Sequence, residues 1–351
     1  MERKDKGLAF LLQYENVAWY ENGEVRILDR RVYPTKISFV TCKTHLEVKQ
    51  AITDMVTQSA GPYTAATMGV ALAAHECRDL PKEERKAYIL KAADSIAHAR
   101  PTTVVRMKKL CNRSAQVALK AIDAGIDVPQ AVVDNSVEFN NLRYSKMEQA
   151  AEYLVDMFPK KGKVMTQCYG ETIVGMMCKI AKKRNLDIHF FVPETRPYFQ
   201  GAKLTATVIY EMGFETTLIT DNMVALVMQR EKIDLITSAA DAITLDGYVC
   251  NKIGTFQYAI VAKSMGIPYF ATGGPDKGHP TVDTVKIEMR DPNYVLQAMG
   301  VRTAREGVKG YYPSFDITPP HLVSGIVTDK GIFSPYDLHR YFEFSDDGVV
   351  A

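Results

Sequence analysis

Hydrophobic and polar positions follow two different rhythms along this chain. Between residues 12 and 40 apolar residues come in short alternating pieces broken by turns. Glu21-Asn22-Gly23 sits between two β-rich runs, which predicts a hairpin. From about residue 44 to 158 the period becomes helical. "THLEVKQAITDMV" and "TAATMGVALAAHE" read as packed helices, and Pro81 marks the start of another, in which Ile89, Ala92, Ala93 and Ile96 share one face. The tract from 118 to 157 continues the helical pattern with a break near Pro129.

From residue 163 onward short β-branched or aromatic runs alternate with helices. The expected strands are "KVMTQC", "IHFFV", "TTLIT", "IDLITSA" and "IPYFAT". The helices between them are "IVGMMCKIAKKR", "AKLTATVIYEMG" closed by Gly213, "MVALVMQRE" and "FQYAIVAKSMG" closed by Gly266. Repeated βα units of this kind predict a parallel, doubly wound sheet. The expected fold class is α/β: an N-terminal β-hairpin and helical lobe over residues 1–140, and a Rossmann-like parallel sheet over 141–351. No G-x-G-x-x-G follows the first strand, so no dinucleotide site is read and an NAD-dependent oxidoreductase is disfavoured.

Composition narrows the class. The 351 residues are 46% hydrophobic and 24% charged, ordinary for a globular protein, and enough to bury a core without disulfides or metals. A net charge of +2 with no basic block leaves no electrostatic footprint for nucleic acid; "KKGK" at 160–163 reads as a solvated loop. The six cysteines, Cys42, Cys77, Cys111, Cys168, Cys178 and Cys250, form no C-x-x-C pair, so no zinc site is expected. "MERKDKGLAF" lacks the apolar core of a signal peptide, and no run reaches the ~18 apolar residues of a membrane span. The expectation is a cytoplasmic protein with free thiols.

Ligands in open α/β sheets bind beyond the carboxyl ends of the strands. That rule selects the turns "QCYGET", "ETRPYFQGAKL" (194–204), "DNM", "AADAITLDGYVCNKIGT" and "GGPDKGHP", all expected to face one crevice. Cys168 is either a buried small hydrophobe or, at a strand-end turn ahead of a helix, a thiol whose pKa the helix dipole lowers. Cys178, inside a helix, and Cys250, in a loop, take the first reading. Asp241 either caps a turn or acts as a general acid and base. Asn251 and Lys252 are either surface residues or an amide and a cation opening a helix as a phosphate cradle. Arg100, ahead of Pro101, is held out of helical geometry, and a salt bridge is the plain alternative.

Together, "HARPTTV", "TQCYGET", "ETRPYFQGAKLTA", "AADAITLDGYVCNKIGTFQYAIVAK" and "PSFDITPPHLVSGIVTDKGI" resemble the methylthioribose-1-phosphate isomerase family, in order, from about residue 15 to 335. That family is related to ribose-1,5-bisphosphate isomerase and to the regulatory subunits of the translation initiation nucleotide exchange factor. The resemblance implies an aldose-ketose isomerase acting on a sugar 1-phosphate, with Cys168 and Asp241 as the catalytic pair. It implies Arg100, Gln200, Asn251 and Lys252 as sugar-phosphate contacts, with Gln200 bonding a hydroxyl while Glu194 and Arg196 brace their loop. It further implies a homodimer, with no metal or cofactor.

The sequence departs from that pattern at one place. The isomerases carry Arg-Gly-Ala-Pro at a helix start in the N-terminal lobe, whereas this chain has "TQSAGPYTAATMG" at 57–69, with no arginine. Backbone N–H groups around Ser59, Ala60 and Gly61 are the expected phosphate contacts there. The lost charge leaves the 5-substituent open, with 5-methylthioribose 1-phosphate and 5-deoxyribose 1-phosphate both compatible. The competing reading is a catalytically silent regulatory member that senses sugar phosphates or nucleotides.

Overall fold

The computed structural model describes residues 3–100 and 104–344. The chain divides into two compact units, Met1–Ser145 and Lys146–Ala351.

The first unit opens with a short helix α1 (Tyr14–Val17) and an antiparallel sheet of β1 (Ala18–Glu21), β2 (Glu24–Leu28) and β3 (Phe39–Cys42), in that order. The expected hairpin joins β1 to β2. Asn22 and Gly23 both take positive φ, 52° and 81°, as a two-residue turn that matches strand twist requires. Helices α2 (His45–Thr53), α3 (Gly61–Glu76), α4 (Lys82–Ala97) and α5 (Val104–Ala124) follow, then α6 (Val128–Asp156), within which the division between the units falls. The Thr44 side chain caps α2 by accepting from Glu47 N. Helix α3 is buried on every side from Thr64 to Ala74, which explains its lack of a polar face and makes it the centre of this core. The predicted face of α4 is the buried one: Ile89, Ala92, Ala93 and Ile96 are at most 1% exposed.

The second unit holds a seven-stranded sheet. Its strands are β4 (Lys161–Met165), β5 (Asp187–Pro193), β6 (Glu215–Ile219), β7 (Leu235–Ala239), β10 (Tyr269–Thr272), β14 (Gly325–Thr328) and β15 (Gly331–Phe333). Helices α7 (Thr172–Lys183), α8 (Ala206–Glu211), α9 (Val224–Glu231) and α10 (Thr255–Ser264) connect the first five, and α7 packs on α8, α9 on α10. The order is β15-β14-β10-β7-β4-β5-β6, with every neighbouring pair parallel except the edge pair β14–β15. The inner strands β5 and β7 are buried on both faces over most of their length, hence the apolar runs "HFFV" and "LITSA".

The five strands read from the sequence are all present, and β14 and β15 extend the sheet beyond them. The segment after β7, read as a loop, contains two strands instead. β8 (Ala242–Ile243) and β9 (Val249–Lys252) pair with the distant β13 (Phe315–Thr318) in a small antiparallel sheet of order β13-β9-β8. Between β10 and β13 lies the two-stranded hairpin of β11 (Gln297–Ala298) and β12 (Val301–Arg302), and the described chain ends with the short helix α11 (Arg340–Glu343).

Candidate active site

The chain lays β5 and β6 on one side of β4, then crosses back to place β7 on the other. Two adjacent parallel strands whose connections depart in opposite directions leave a crevice at their carboxyl ends. The turns there carry Cys168, after β4, and Asp241, after β7. They approach closely: a Cβ on Gly170 would stand 3.0 Å from Ala239 Cβ at the end of β7. Asp241 N donates to Cys250 O at 2.9 Å, which ties the second turn to β9, and the Asp241 residue is exposed.

Backbone strain concentrates in these turns. Cys168 and Glu171 in the turn after β4, and Thr195 and Phe199 in the stretch after β5, all have φ between 51° and 63°. Side chains with a Cβ take this left-handed conformation at a cost, and surrounding structure must hold them there. The hydroxyl of Thr205 donates to Cys168 O, linking the two turns.

The Cys168 thiol behaves oppositely to the helix-dipole expectation. The residue retains some exposed surface, yet protein atoms enclose it enough that burial pushes the thiol up to about 12. The Lys252 ammonium opposes that rise and the Asp241 carboxylate adds to it, so all three groups share one electrostatic neighbourhood. The thiol is therefore neutral near pH 7. Cys178 and Cys250 are buried, as expected, although Cys250 lies on β9 and not in a loop.

Asn251 and Lys252 are not the surface residues that one sequence reading allowed. They end strand β9, ahead of α10, and are only 4% and 5% exposed. Asn251 Nδ2 donates to Gln167 Oε1 at 2.9 Å and to Thr255 Oγ1 at 3.0 Å, so both amide hydrogens are used inside the protein. Lys252 Nζ donates to Ser314 O at 2.9 Å and lies 4.6 Å over the Phe315 ring. Burial lowers its pKa, against the field of Cys168 and Asp241.

The stretch 194–204 is a strapped loop. The Asp221 carboxylate, following β6, accepts from Thr195 N at 2.9 Å, Arg196 N at 2.7 Å and the Tyr258 hydroxyl at 2.8 Å. Arg196 Nη2 donates to Gln297 O at 2.9 Å. Gln200 precedes a π-helical turn, Gly201–Thr205, in which a Cβ at Gly201 would fall 1.8 Å from Pro193 O. Gln200 is buried, and its Oε1 has no hydrogen-bond partner among the described residues. Beneath Gly170 lies a cavity of about 10 Å³, room for one water, lined by Leu154, Ile173, Val174 and Met177 and by Thr166, Thr237 and Ser238.

A family model described as the initiation factor 2 subunit family matches residues 58–335. The chain belongs to this family. Within it, the chain is 32% identical over 334 residues to the methylthioribose-1-phosphate isomerase of Roseiflexus castenholzii, covering 90% of this chain and 94% of that one. It is similar in structure to 5-methylthioribose 1-phosphate isomerase from Pyrococcus horikoshii OT3, with a TM-score of 0.82 and 29% identity over 94% of this chain and 96% of that one. It is also similar to translation initiation factor eIF-2B, subunit delta, from A. fulgidus, with a TM-score of 0.81 and 28% identity over 94% and 99% of the two chains.

The remaining sequence candidates of this initiation factor 2 subunit family member lie in the first unit. Ser59 has φ 57°, Ala60 precedes α3 and Gly61 begins it. A Cβ at Gly61 would stand 1.9 Å from Thr57 Oγ1 and 3.2 Å from Arg30 Nη1. Arg30, 1% exposed, donates to Gln58 O at 2.6 Å and so brings a guanidinium to the very turn whose own arginine is missing. Arg100 is half-buried between α4 and α5, and the Pro101 that motivated its reading lies outside the described residues. Sequence reasoning overlooked Arg30, Gln167 and Tyr258. Gln167, adjacent to Cys168, had a signal in its position; the other two had none, because their partners are far along the chain.

Proposed function

We propose that this chain is an aldose-ketose isomerase that converts a 5-substituted ribose 1-phosphate, 5-methylthioribose 1-phosphate or 5-deoxyribose 1-phosphate, into the corresponding ribulose 1-phosphate. The observation that carries this reading is that the turns bearing Cys168 and Asp241 end the adjacent strands β4 and β7, and that Asp241 and the buried Lys252 ammonium both act on the Cys168 thiol. Family membership and the likeness to enzymes named for this reaction support it. Gln200 Oε1, a buried acceptor with no internal donor, suits a sugar hydroxyl. Lys252 suits the phosphate, and Asn251, its amide hydrogens already engaged, offers its oxygen to a second hydroxyl. Ser59, Ala60 and Gly61, beside Arg30, and Arg100 complete the expected set as further phosphate contacts, and a homodimer is the expected assembly.

A phosphate on the anomeric carbon blocks spontaneous opening to an aldehyde. Asp241 as general acid protonates the ring oxygen, and the bond from that oxygen to C1 breaks. Hydride then moves from C2 to C1 with its electron pair, and the C2 hydroxyl returns a proton to the Asp241 carboxylate, leaving a ketone. No external oxidant or base is consumed. The neutral thiol favours this route over one in which Cys168 removes the C2 proton, since that base would have to be a thiolate.

The test is turnover of a panel of ribose-type 1-phosphates by the wild type and by Asp241→Asn. The expected result is a ketose product from the wild type, little from the variant, and no solvent deuterium at C1. A wild type inactive across the panel would overturn the isomerase reading in favour of a regulatory sensor. Deuterium at C1 would overturn the hydride step alone.

A further inference from the structure

Tyr312 lies just ahead of β13 and carries no role in the reading above. Its backbone is tied down, with Arg290 N donating to Tyr312 O at 3.0 Å and Ser314 N to Glu288 O at 2.9 Å. Its ring packs beside Tyr198, centroids 6.0 Å apart, and Tyr198 belongs to the same stretch as Gln200. By register Phe315 pairs with Lys252, whose ammonium donates to Ser314 O. Tyr312 is thus held between the Gln200 loop and the Lys252 strand.

The residue is 2% exposed, and its hydroxyl has no hydrogen-bond partner among the described residues. The Arg290 guanidinium approaches the phenolic oxygen from the donor side, out of hydrogen-bond alignment, and its charge and approach restrain the rise that burial imposes on the phenol's pKa. A guanidinium, however, only donates, so the phenolic proton still lacks an acceptor. The charged neighbour acting on the phenol is the Arg290 guanidinium, beside the Tyr198 hydroxyl and the Cys168 thiol. Lys252 makes no ion pair among the described residues, and Arg290 is matched by Glu288 at 3.0 Å. A buried O–H beside a guanidinium, next to a buried ammonium with no paired carboxylate, wants an anionic oxygen that the protein itself does not supply. The phenol is raised well above its ordinary value, with Cys168 contributing to the rise, so it remains a donor through neutral pH.

We propose that Tyr312 is a further substrate-binding residue, whose hydroxyl donates a hydrogen bond to an anionic oxygen of the bound sugar phosphate beside the Lys252 ammonium. This rests on the reading that the site takes a sugar 1-phosphate. The contact exists before the reaction begins, so it acts on binding more than on the chemical step.

The test is Tyr312→Phe in the full chain. KM for 5-methylthioribose 1-phosphate or 5-deoxyribose 1-phosphate rises about tenfold or more, the usual effect of losing a hydrogen bond to a charged group, with kcat within about threefold. The ligand-free melting temperature holds within a degree or two, because the hydroxyl makes no aligned hydrogen bond in the folded protein. The stabilisation by added ribose 1-phosphate shrinks. An unchanged KM, an unchanged ribose 1-phosphate shift, a loss confined to kcat, or a lower ligand-free melting temperature with the shift intact would each overturn the proposal. A wild type that turns over no sugar 1-phosphate, yet loses ribose 1-phosphate binding on Tyr312→Phe, would sink the isomerase reading and leave this contact standing. A wild type that neither binds nor turns over these compounds would sink both.

Discussion

The side-chain amide of Asn251 donates to Gln167 Oε1 at 2.9 Å, joining the end of β9 to the turn after β4 across 84 residues of chain. Gln167 in turn donates to Lys252 O and Ile253 O, each at 3.4 Å. The turn that bears Cys168 and the strand that bears Lys252 are therefore one hydrogen-bonded body.

Breaking that link has a measurable cost. Asn251→Ala leaves Gln167 Oε1 buried without a donor and destabilises by about 1–3 kcal/mol. In a double-mutant cycle with Gln167→Ala the pair couples by about 1 kcal/mol, read from urea midpoints. Additive losses would show that the two side chains do not support each other.

Asp241 is exposed, and Asp241→Asn keeps its size and shape while removing the acid that the proposed mechanism needs. Under the proposed mechanism Asp241→Asn lowers turnover by about 10²–10⁴-fold, the range of a lost general acid. A residual rate within tenfold of wild type would remove Asp241 from the mechanism.

Cys168, pushed up to about 12, presents almost no thiolate at pH 7. Its modification by iodoacetamide, followed by peptide mass spectrometry, is slower than that of a free cysteine peptide at pH 7.5 and still accelerates above pH 9. Rapid labelling at neutral pH with a plateau below pH 8 would contradict the burial-raised thiol.

Asp316 accepts from Gly254 N at 2.7 Å and Phe256 N at 3.1 Å at the start of α10. Burial nevertheless outweighs those bonds and raises its carboxyl from 3.8 to about 6. A folded-state pKa above the unfolded value means that the folded state holds the proton more tightly. This group's contribution is full below pH 3.8 and is lost as pH rises through about 6. Relative to Asp316→Asn, wild type therefore loses stability between pH 4 and pH 6.5, measured by chemical denaturation at each pH. Parallel pH profiles for the two proteins would refute this.

Gly201 is fixed by a backbone contact that no rotamer change can relieve, since its would-be Cβ meets Pro193 O at 1.8 Å. Gly201→Ala displaces the loop that holds Gln200 and destabilises by about 1–3 kcal/mol. Gly266→Ala, at φ 70° with nothing within 4 Å, is the control: it carries only the conformational cost of its positive φ. A smaller loss at Gly201 than at Gly266 would reject the steric account.

Much of the sheet was legible because its strands follow one another and are bounded by their own helices. "IHFFV" and "IDLITSA" carry their burial in their composition, "TTLIT" its strand propensity, and each became a strand. Strands β9 and β13 were not legible, since "VCNK" has little strand propensity and "FDIT" is only four residues long, and each pairs with the other from far along the chain. The same limit hid Arg30 and Tyr312, whose neighbours come from distant turns. It also left Cys168 between two readings: its place before a helix was visible, but the enclosure that raises its thiol was not.

The sequence by itself determined the alternation of strands and helices, the hairpin at Asn22-Gly23, the buried face of α4, and which loops end parallel strands, because each depends on residues within a few positions of one another. Only the tertiary structure decided the strand order that brings the turns after β4 and β7 side by side, the burial of Lys252 and Cys168, and which polar atoms are left without a partner. Those depend on what a distant segment contributes to the same few ångströms, and local pattern carries no record of it.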